Sequence, residues 1–482
     1  MTFEPVIGLE VHVQAKTKTK LFCGCAIEFG EQQNSNICPV CTGQPGALPV
    51  INREAVRLAI KAALATNCKI NLKSIFARKN YFYPDLPKGY QISQFEQPFC
   101  EHGHVEITLS DGSAKKIGLT RIHMEEDAGK NVHQGADGIL GSDYSLVDLN
   151  RACTPLLEIV SEPDMRSVED ARLFLDQLKL TMQYAGVSDA DMEKGQLRVD
   201  VNVSLREQGA KEYGVRAEIK NMNSFRNIER AIKYEIVRQT EVLENGGEVV
   251  QETRNFDDAS GTTTSLRSKE ESHDYRYFPE PDLLPLEVSE EWIESVKSEM
   301  PELPKNLKEK YSKFKDLNNY DINVVVNNQT YSGVFNGGIK TTDDVKTLHS
   351  MITTDFAGHL KNEAIEKKVS KLEKPNDLKE LGKKFGLIVN LIKNGRISSK
   401  IAKTVLEELL REMTPETIPD PEEIVRNSGM TQIANPDELK PVINAILSAN
   451  PAQVQQYKSG EQKVLGFFVG QVMKETKGRA NP

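Results

Sequence analysis

Apolar and polar residues alternate strictly in a short stretch near the start of the chain. Odd positions from 7 to 13 are apolar, while the even positions carry Gly8, Glu10, His12 and Gln14. This period of two predicts a β-strand with one buried face. Glu10 and His12 would then point to the same side, roughly 7 Å apart along the strand. A carboxylate beside an imidazole on a strand suits a metal or acid–base site, and it equally suits an ordinary solvated face.

Three later stretches, residues 120–125, 197–205 and 215–220, repeat this alternation. We expect them to be strands of one antiparallel sheet with helices on its apolar side. Any single polar face is more simply a solvated surface, but together the four faces are rich in the hard oxygen ligands that suit Mg²⁺. Neighbouring Arg and Lys side chains can hold anionic oxygens. The pattern therefore favours a Mg²⁺–phosphate site, and its polar positions are Arg121, His123, Glu125, Arg198, Asp200, Asn202, Ser204, Arg216, Glu218 and Lys220.

The spacing of apolar residues becomes helical in the second half of the chain. One amphipathic helix is predicted earlier, at residues 52–67. The sequence from about residue 290 to 405 is predicted to be mostly helical. A proline-rich break at residues 413–421 then precedes a short helical module. We expect an α+β fold, in which an antiparallel β-sheet with helices on one side is followed by an all-helical domain and a small helical tail. The predicted domains are residues 1–292, 293–408 and 409–482.

Composition limits the classes of protein to consider. The chain has 482 residues, of which 27% are charged and 38% hydrophobic, and its net charge is −9. This balance is typical of soluble proteins and argues against a DNA-coating protein, although local basic patches still allow an RNA partner. There is no apolar run of about 18 residues and no secretory signal, so we expect neither a membrane span nor export. Seven cysteines in such a chain indicate reduced thiols and a cytoplasmic protein.

Four of the cysteines form two close pairs, Cys23-Gly-Cys25 and Cys38-Pro-Val-Cys41. Two such pairs joined by a short loop can place four thiolates at the corners of a tetrahedron around one zinc ion. Because four sulfur ligands leave no open position, the zinc would be structural. The alternative is four cysteines without a metal.

Residues 78–94 interleave basic residues with tyrosines and are broken by Pro and Gly. This composition suits a loop that handles a phosphate or a stacked base, and it equally suits a surface loop pinned by buried aromatic rings. The chain has no phosphate-binding P-loop, no dinucleotide fingerprint, no nucleophile elbow and no zinc-protease motif. The residue pattern alone therefore does not identify a nucleotide.

Several long stretches identify a family. These stretches span nearly the whole chain and are residues 7–13, 78–85, 90–94, 123–130, 145–151, 275–282, 397–403 and 466–471. In them the chain resembles the B subunits of the tRNA-dependent aspartyl/glutamyl-tRNA amidotransferases, of the type that carries a zinc knuckle. Residues 318–375 depart from the family pattern, and Thr353–Ala357 stands where a tryptophan-containing helix motif is expected.

The resemblance implies a specific activity. Members of the family use ATP and Mg²⁺ to phosphorylate the side-chain carboxylate of a mischarged Glu-tRNA(Gln) or Asp-tRNA(Asn). A partner amidase of the same complex releases ammonia from glutamine. The ammonia passes through a channel and displaces the phosphate to give Gln-tRNA(Gln) or Asn-tRNA(Asn). A small third protein clamps the other two into a heterotrimer. The implied architecture is a cradle-shaped catalytic domain on the sheet, a helical domain and a helical tail that grips tRNA.

The resemblance also assigns roles to residues of this chain. Magnesium and catalytic roles fall on Glu10, His12, Glu125 and Glu126, with a catalytic role for Asp200. Nucleotide contacts fall on Arg198, Lys220 and Asn202, and structural zinc falls on Cys23, Cys25, Cys38 and Cys41. In the tail, Lys474, Lys477 and Arg479 form a basic patch expected to contact tRNA, the alternative being a solvated terminus. Two other functions remain open, a zinc-containing RNA-binding protein without catalytic activity and a stand-alone metal-dependent hydrolase.

Overall fold

The computed structural model describes residues 2–134, 144–268, 275–372, 375–429, 436–476 and 480. The chain forms two compact units, Met1–Leu303 and Pro304–Pro482. The first unit is built on β-sheets and the second is helical, so the predicted α+β class is confirmed. Within the described residues, no helix combines the length and the apolar character needed to cross a membrane.

The first unit contains all of the described strands and four of the described helices. The strands are β1 Phe3–Gln14, β2 Lys69–Ile70, β3 Lys73–Ser74, β4 Ala77–Asn80, β5 Tyr90–Ser93, β6 Cys100–Thr108, β7 Ala114–Glu126, β8 Lys130–Gln134, β9 Tyr144–Asp148, β10 Pro155–Ser161, β11 Leu197–Glu207, β12 Ala217–Met222, β13 Glu252–Asp257, β14 Thr262–Ser268, β15 Phe278–Pro279 and β16 Leu286–Glu287. The helices are α1 Arg53–Ala65, α2 Val168–Tyr184, α3 Phe225–Glu244 and α4 Glu290–Ser298.

The main sheet, as far as the described residues show, has nine strands in the order β14-β13-β12-β11-β1-β10-β7-β6-β2. Its neighbours pair antiparallel except for β12 and β13, which run parallel after the crossover through α3. The four strands predicted from alternation are β1, β7, β11 and β12, and all of them belong to this sheet. Strand β1 lies near its centre, between β11 and β10.

The apolar face of the sheet forms the core of the first unit. Ile7, Leu9 and Val11 of β1 are at most 1% exposed and belong to the same cluster as buried residues of α1, α2 and α3. The helix at α1 begins where predicted, because the side chain of Asn52 accepts hydrogen bonds from the backbone N–H groups of Glu54 and Ala55. Such a cap contributes about 1 kcal/mol to helix stability. The opposite face of the sheet is left for polar residues.

A small sheet of β15, β4 and β5 contributes further side chains to that polar face. Strand β4 carries Lys79, and Tyr277 precedes β15 at Phe278. Both side chains line the same cavity as Glu10 and His12. The remaining described pairs are β16 with β3 and β8 with β9.

The second unit is entirely helical in its described residues. Its elements are α5 Pro304–Tyr311, α6 Asn319–Val326, α7 Gln329–Gly338, α8 Val345–Ser350, a π-helical turn Met351–Phe356, α9 Ala357–His359, α10 Glu363–Ser370, α11 Pro375–Lys393, α12 Ser399–Glu412, α13 Pro421–Asn427, α14 Pro436–Ala449, α15 Pro451–Lys458 and α16 Val464–Glu475. The π-helical turn overlaps Thr353–Ala357, where the sequence departs from the family motif. The predicted boundary between a helical domain and a tail at residue 408 stays a prediction.

Candidate active site

The register of four strands brings the polar residues of the main sheet together. On one side of β1, Glu10 pairs with Asp200 and His12 with Arg198 of β11. On its other side, His12 pairs with Glu158 of β10. Because directly opposed residues of neighbouring strands point to the same face, these side chains share one surface.

Two imidazoles and two carboxylates form the centre of this surface. His12 Nε2 lies 3.3 Å from Glu158 Oε2 and 3.6 Å from Glu125 Oε1. His123, which pairs with Glu158 across β10 and β7, lies 3.2 Å from Glu158 Oε2 and 3.8 Å from Glu125 Oε2. Ligand atoms of His12, Glu125 and Glu158 all lie within 4.8 Å of one another, close enough to hold one metal ion. We call these four residues the His–Glu cluster.

Interactions inside the His–Glu cluster favour the charged forms of His123 and Glu158. Burial lowers the pKa of His123, but the charge of Glu158 and hydrogen bonds to Glu125 and Glu158 outweigh it and raise that pKa to about 9. Burial raises the pKa of Glu158, but His123 and His12 overcome it and hold that pKa well below its usual range. The carboxylates therefore stay ionised, which is the form that binds a cation.

A second group of charges lies on β1, β11 and β12. Lys220 Nζ is 2.5 Å from Asp200 Oδ2 and 2.9 Å from Glu218 Oε1. Asn202 donates a hydrogen bond of 3.1 Å from its amide to Glu10 Oε1. Burial and then the charges of Glu158 and Glu218 raise the pKa of Glu10. The predicted residues Glu10, Asp200, Asn202 and Lys220 are thus brought together by the fold.

Two open cavities meet above these residues. The first has a volume of about 520 Å³ and is lined by residues of both charge groups, with Lys79, Phe95 and Tyr277 on the side of the small sheet. The second has a volume of about 580 Å³ and includes Arg198 and Glu125. Four residues line both cavities and mark the place where they meet: His12, Lys79, Asp200 and Lys220.

Two of the predicted residues, Glu126 and Arg198, form ion pairs outside the His–Glu cluster. Glu126 does not join the His–Glu cluster, because its Oε1 accepts a hydrogen bond of 2.8 Å from the Ile92 N–H and forms an ion pair with Lys88. Its role as a magnesium ligand stays a prediction. Arg198 forms an ion pair of 2.8 Å with Asp127 and borders the second cavity, so a phosphate contact there also stays a prediction.

Sequence reasoning missed Glu158 and Lys79. Glu158 is the single charged residue in the apolar strand β10, and that isolation is a signal which could have identified it. Lys79 belongs to the basic and aromatic stretch of residues 78–94, which was expected to be a loop, but the structure places it on strand β4. The sequence allowed both phosphate binding and structural pinning for this stretch. Arg78, the neighbour of Lys79, has a structural role in this stretch, because its guanidinium pairs with Glu280 and lies 4.2 Å from the centre of the Tyr90 ring.

The four predicted zinc ligands come together in the first unit. Sulfur atoms of Cys23, Cys25, Cys38 and Cys41 lie within 4.8 Å of one another. Lys20 is fully buried beside them, and its Nζ lies 3.6 Å from Cys41 Sγ. A buried ammonium needs a counter-charge, and a zinc–thiolate centre would supply one. The donor set and its surroundings therefore fit structural zinc.

The predicted basic patch of the tail is only partly described. Lys474 is exposed in the last turn of α16. Lys477 and Arg479 lie outside the described residues.

Comparison with known proteins points to one family. Residues 5–294 match the model of the GatB/GatE catalytic domain, and residues 333–482 match the model of the GatB domain. A relative from Persephonella marina is 50% identical, and the match covers 100% of this chain and 98% of the relative. A relative from Syntrophotalea carbinolica is 51% identical, with 100% and 96% covered. Both are named as the B subunit of an aspartyl/glutamyl-tRNA(Asn/Gln) amidotransferase.

Proposed function

The chain belongs to the GatB family of amidotransferase B subunits, and from this premise we propose that its sheet surface phosphorylates the side-chain carboxylate of an aminoacyl-tRNA. The enzyme is a ligase-type amidotransferase that acts in translation. The substrate would be Glu-tRNA(Gln), Asp-tRNA(Asn) or both. ATP would donate the phosphoryl group, and ammonia would then displace phosphate to leave the amide.

The single observation that supports this activity best is the His–Glu cluster beside Lys220 and Asp200. Ionised Glu125 and Glu158 offer ligands for a divalent ion, and His12, whose pKa is lowered by burial but raised more strongly by these carboxylates, would join them once the ion displaces its proton. Glu10 and Asp200 lie on the same face. Bound there, Mg²⁺ would neutralise phosphate oxygens and position them for in-line transfer. Mg²⁺ takes few protein ligands and completes its shell with water and substrate phosphate, which an open cavity allows.

The cationic side chains would hold the anions. Lys220 and Arg198 would contact phosphates, and Lys79, at the meeting point of both cavities, would hold the substrate carboxylate or the phosphate attached to it. An unactivated carboxylate is a poor acyl donor, and its acyl phosphate provides the leaving group that ammonia displaces. Preorganised charges of this kind stabilise the transition state without reorganising during the reaction.

The same family membership implies partners. We propose that a partner amidase supplies the ammonia and that a small third protein completes a heterotrimer. The zinc centre would stabilise the loop of residues 23–41, while the tail would bind the tRNA. The protein would then work in the cytoplasm, where aminoacyl-tRNA is used.

The test is ATP consumption by the reconstituted heterotrimer with mischarged tRNA and Mg²⁺. Glu158→Gln keeps the size of the side chain and removes its charge, so we expect ATP turnover to fall about 100-fold or more. Glu287→Gln, on the exposed two-residue strand β16, is the matched control and should retain turnover. An active Glu158→Gln complex, or a wild-type complex that uses no ATP with either tRNA, would contradict the proposal. An RNA-binding protein without chemistry would give the latter result.

A further inference from the structure

Two stacked aromatic rings border the first cavity of the candidate active site on the side of the small sheet. The ring centres of Phe95 and Tyr277 lie 4.2 Å apart, and their planes are within 7° of parallel. Both residues line the cavity. Phe95 remains 49% exposed although Tyr277 covers one of its faces. We call this pair the aromatic ledge, and its open side offers a surface on which a flat ring can stack.

The Phe95 side of the ledge is fixed by the preceding residue. The side chain of Gln94 is buried, and its carbonyl oxygen accepts a hydrogen bond of 3.0 Å from the Met124 N–H. Its amide donates a second hydrogen bond of 3.0 Å to Ser74 Oγ. Because Met124 follows His123 in β7, these bonds hold the backbone at Phe95 in a fixed position relative to the His–Glu cluster.

The Tyr277 side of the ledge is fixed by strand β4. The Asn80 N–H donates a hydrogen bond of 2.9 Å to the Tyr275 carbonyl, and the Asn80 side-chain amide donates one of 2.8 Å to the Arg276 carbonyl. Arg276 adopts a φ of 43°, in the left-handed region that residues other than glycine rarely occupy. Strained backbone of this kind persists where its surroundings hold it, and it is concentrated at functional sites. The strain therefore supports a role for the two rings that flank Arg276.

The aromatic contacts continue from the ledge to Lys79. The rings of Tyr277 and Tyr275 meet edge to face, with centres 6.1 Å apart. Lys79 Nζ lies 4.9 Å from the centre of the Tyr275 ring, within the range of a cation–π contact. The ledge is therefore continuous with the cation that would hold the substrate carboxylate.

The contacts between the ledge and Lys79 distinguish two sources of a flat ring. ATP and the 3′-terminal adenosine of tRNA both carry adenine. In ATP, phosphates separate the base from the transferred group, whereas the amino acid of an aminoacyl-tRNA is esterified directly to the ribose of the terminal adenosine. The path from the ledge to Lys79 is aromatic and suits a link without phosphates. The other lysine and arginine residues of this cavity stand on strands of the main sheet or directly before one, and they are Arg121, Arg216 and Lys220.

We propose that the aromatic ledge of Phe95 and Tyr277 stacks against the adenine base of the 3′-terminal adenosine of the aminoacyl-tRNA. The ester-linked amino acid then extends past Tyr275, and its side-chain carboxylate meets Lys79. This assignment rests on the proposed function, since it names the subsite for the tRNA end in that activity.

The first test compares Phe95 variants in the reconstituted heterotrimer. Phe95→Ala removes the stacking surface, so we expect the KM for mischarged tRNA to rise about tenfold while the KM for ATP stays within about twofold of wild type. Phe95→Tyr keeps the ring and should stay near wild type for both substrates. Tyr320→Ala is the matched control, because it removes a ring that is 75% exposed in the second unit.

The second test measures stacking without turnover. The 3′-terminal adenosine of the tRNA is replaced by 2-aminopurine riboside, whose fluorescence falls when its base stacks. On binding to the heterotrimer, we expect strong quenching with wild type and Phe95→Tyr and weaker quenching with Phe95→Ala. Because no ATP is added, this result does not depend on phosphorylation.

Three results would overturn the subsite. One is equal quenching by wild type and Phe95→Ala, and another is an unchanged KM for tRNA in Phe95→Ala. The third is a rise confined to the KM for ATP, which would assign the ledge to the base of ATP. If the wild-type heterotrimer quenches 2-aminopurine through Phe95 but uses no ATP with either tRNA, the proposed function fails while the subsite stands.

Discussion

At the scale of single residues, the candidate site is built from histidines and carboxylates that hold one another in position. His12 and His123 each contact both Glu125 and Glu158, so that neither carboxylate is buried without a cationic partner. Removing one partner from such a buried set leaves an uncompensated charge and is strongly destabilising. The ligand positions are therefore preorganised by the protein itself.

This arrangement predicts a pH dependence of stability for the metal-free chain. The pKa of His123 in the folded protein, about 9, lies above its ordinary value of 6.5. Its contribution to stability is therefore fully present below about pH 6.5 and is lost as pH rises through 9. In EDTA, the Tm of wild type should exceed that of His123→Gln by several degrees at pH 6, and the gap should close by about pH 10. A gap of constant size would show that His123 is not protonated in the folded chain.

Part of this site could be predicted from the sequence, because alternating apolar and polar residues show which side chains share one face of a strand. It placed Glu10 with His12 and Asp200 with Asn202 correctly on shared faces. It could not show that β10 lies between β1 and β7, because strand order is a long-range property. Glu158, which stands on β10, was missed for that reason. Glu126 directly follows Glu125, and adjacent strand residues point to opposite faces, so its magnesium role stays a prediction.

At the scale of elements, the loop of residues 23–41 brings its four cysteines together. It has little regular structure in the described residues, with one isolated bridge between Thr19 and Ala26 at its start. Its hydrogen bonds run mostly to residues 147–150 rather than within a regular element, and a zinc ion held by the four cysteines would add rigidity. The buried Lys20 beside Cys41 points the same way.

The zinc assignment predicts a difference between two cysteine substitutions. Cys38→Ser removes one of four ligands, so the purified chain should lose most of its zinc and unfold at a lower temperature. Cys68→Ser changes a buried cysteine outside the cluster and should retain zinc. Zinc content by elemental analysis and Tm with and without chelator provide the measurements. Equal zinc content in both variants would argue for cysteines without a metal.

Helices were predicted well where a cap and an apolar stripe agree. The expected helix at residues 52–67 is α1, which is capped by Asn52 and buries one apolar side. The π-helical turn Met351–Phe356 was not foreseen, because its i→i+5 hydrogen bonds leave no periodicity that differs clearly from an α-helix. Its position beside the departure from the family motif was visible in the sequence, but its geometry was not.

At the scale of the whole molecule, chemistry and the basic tRNA contact are assigned to different units. Every residue of the candidate active site lies within residues 1–303, and the proposed basic patch lies near the end of the second unit. The chain as a whole is acidic, so a local patch must supply attraction for the phosphates of tRNA. The α+β class followed from hydrophobic periodicity alone, whereas the nucleotide and tRNA followed only from family resemblance.

The tail assignment predicts a salt-dependent loss of tRNA binding. Reversing the charges of Lys474, Lys477 and Arg479 to Glu should raise the Kd for tRNA about tenfold or more in the complex and reduce the slope of log Kd against log salt. The KM for ATP should stay as in wild type. A matched triple reversal of the exposed Lys361, Lys367 and Lys371 is the control. Equal effects of the two triple variants would assign the change to net charge rather than to a tRNA contact.

The position of β1 in the sheet has a consequence for how this chain tolerates changes in length. A strand held on both sides cannot shift by one residue without exchanging its faces. Deleting one residue within β1 would turn Leu9 and Val11 toward the polar face and drive Glu10 and His12 into the core. Insertions and deletions within residues 3–14 should therefore prevent correct folding, even at positions where single substitutions are tolerated. The length of β1 is therefore fixed by its pairing with β10 on one side and β11 on the other.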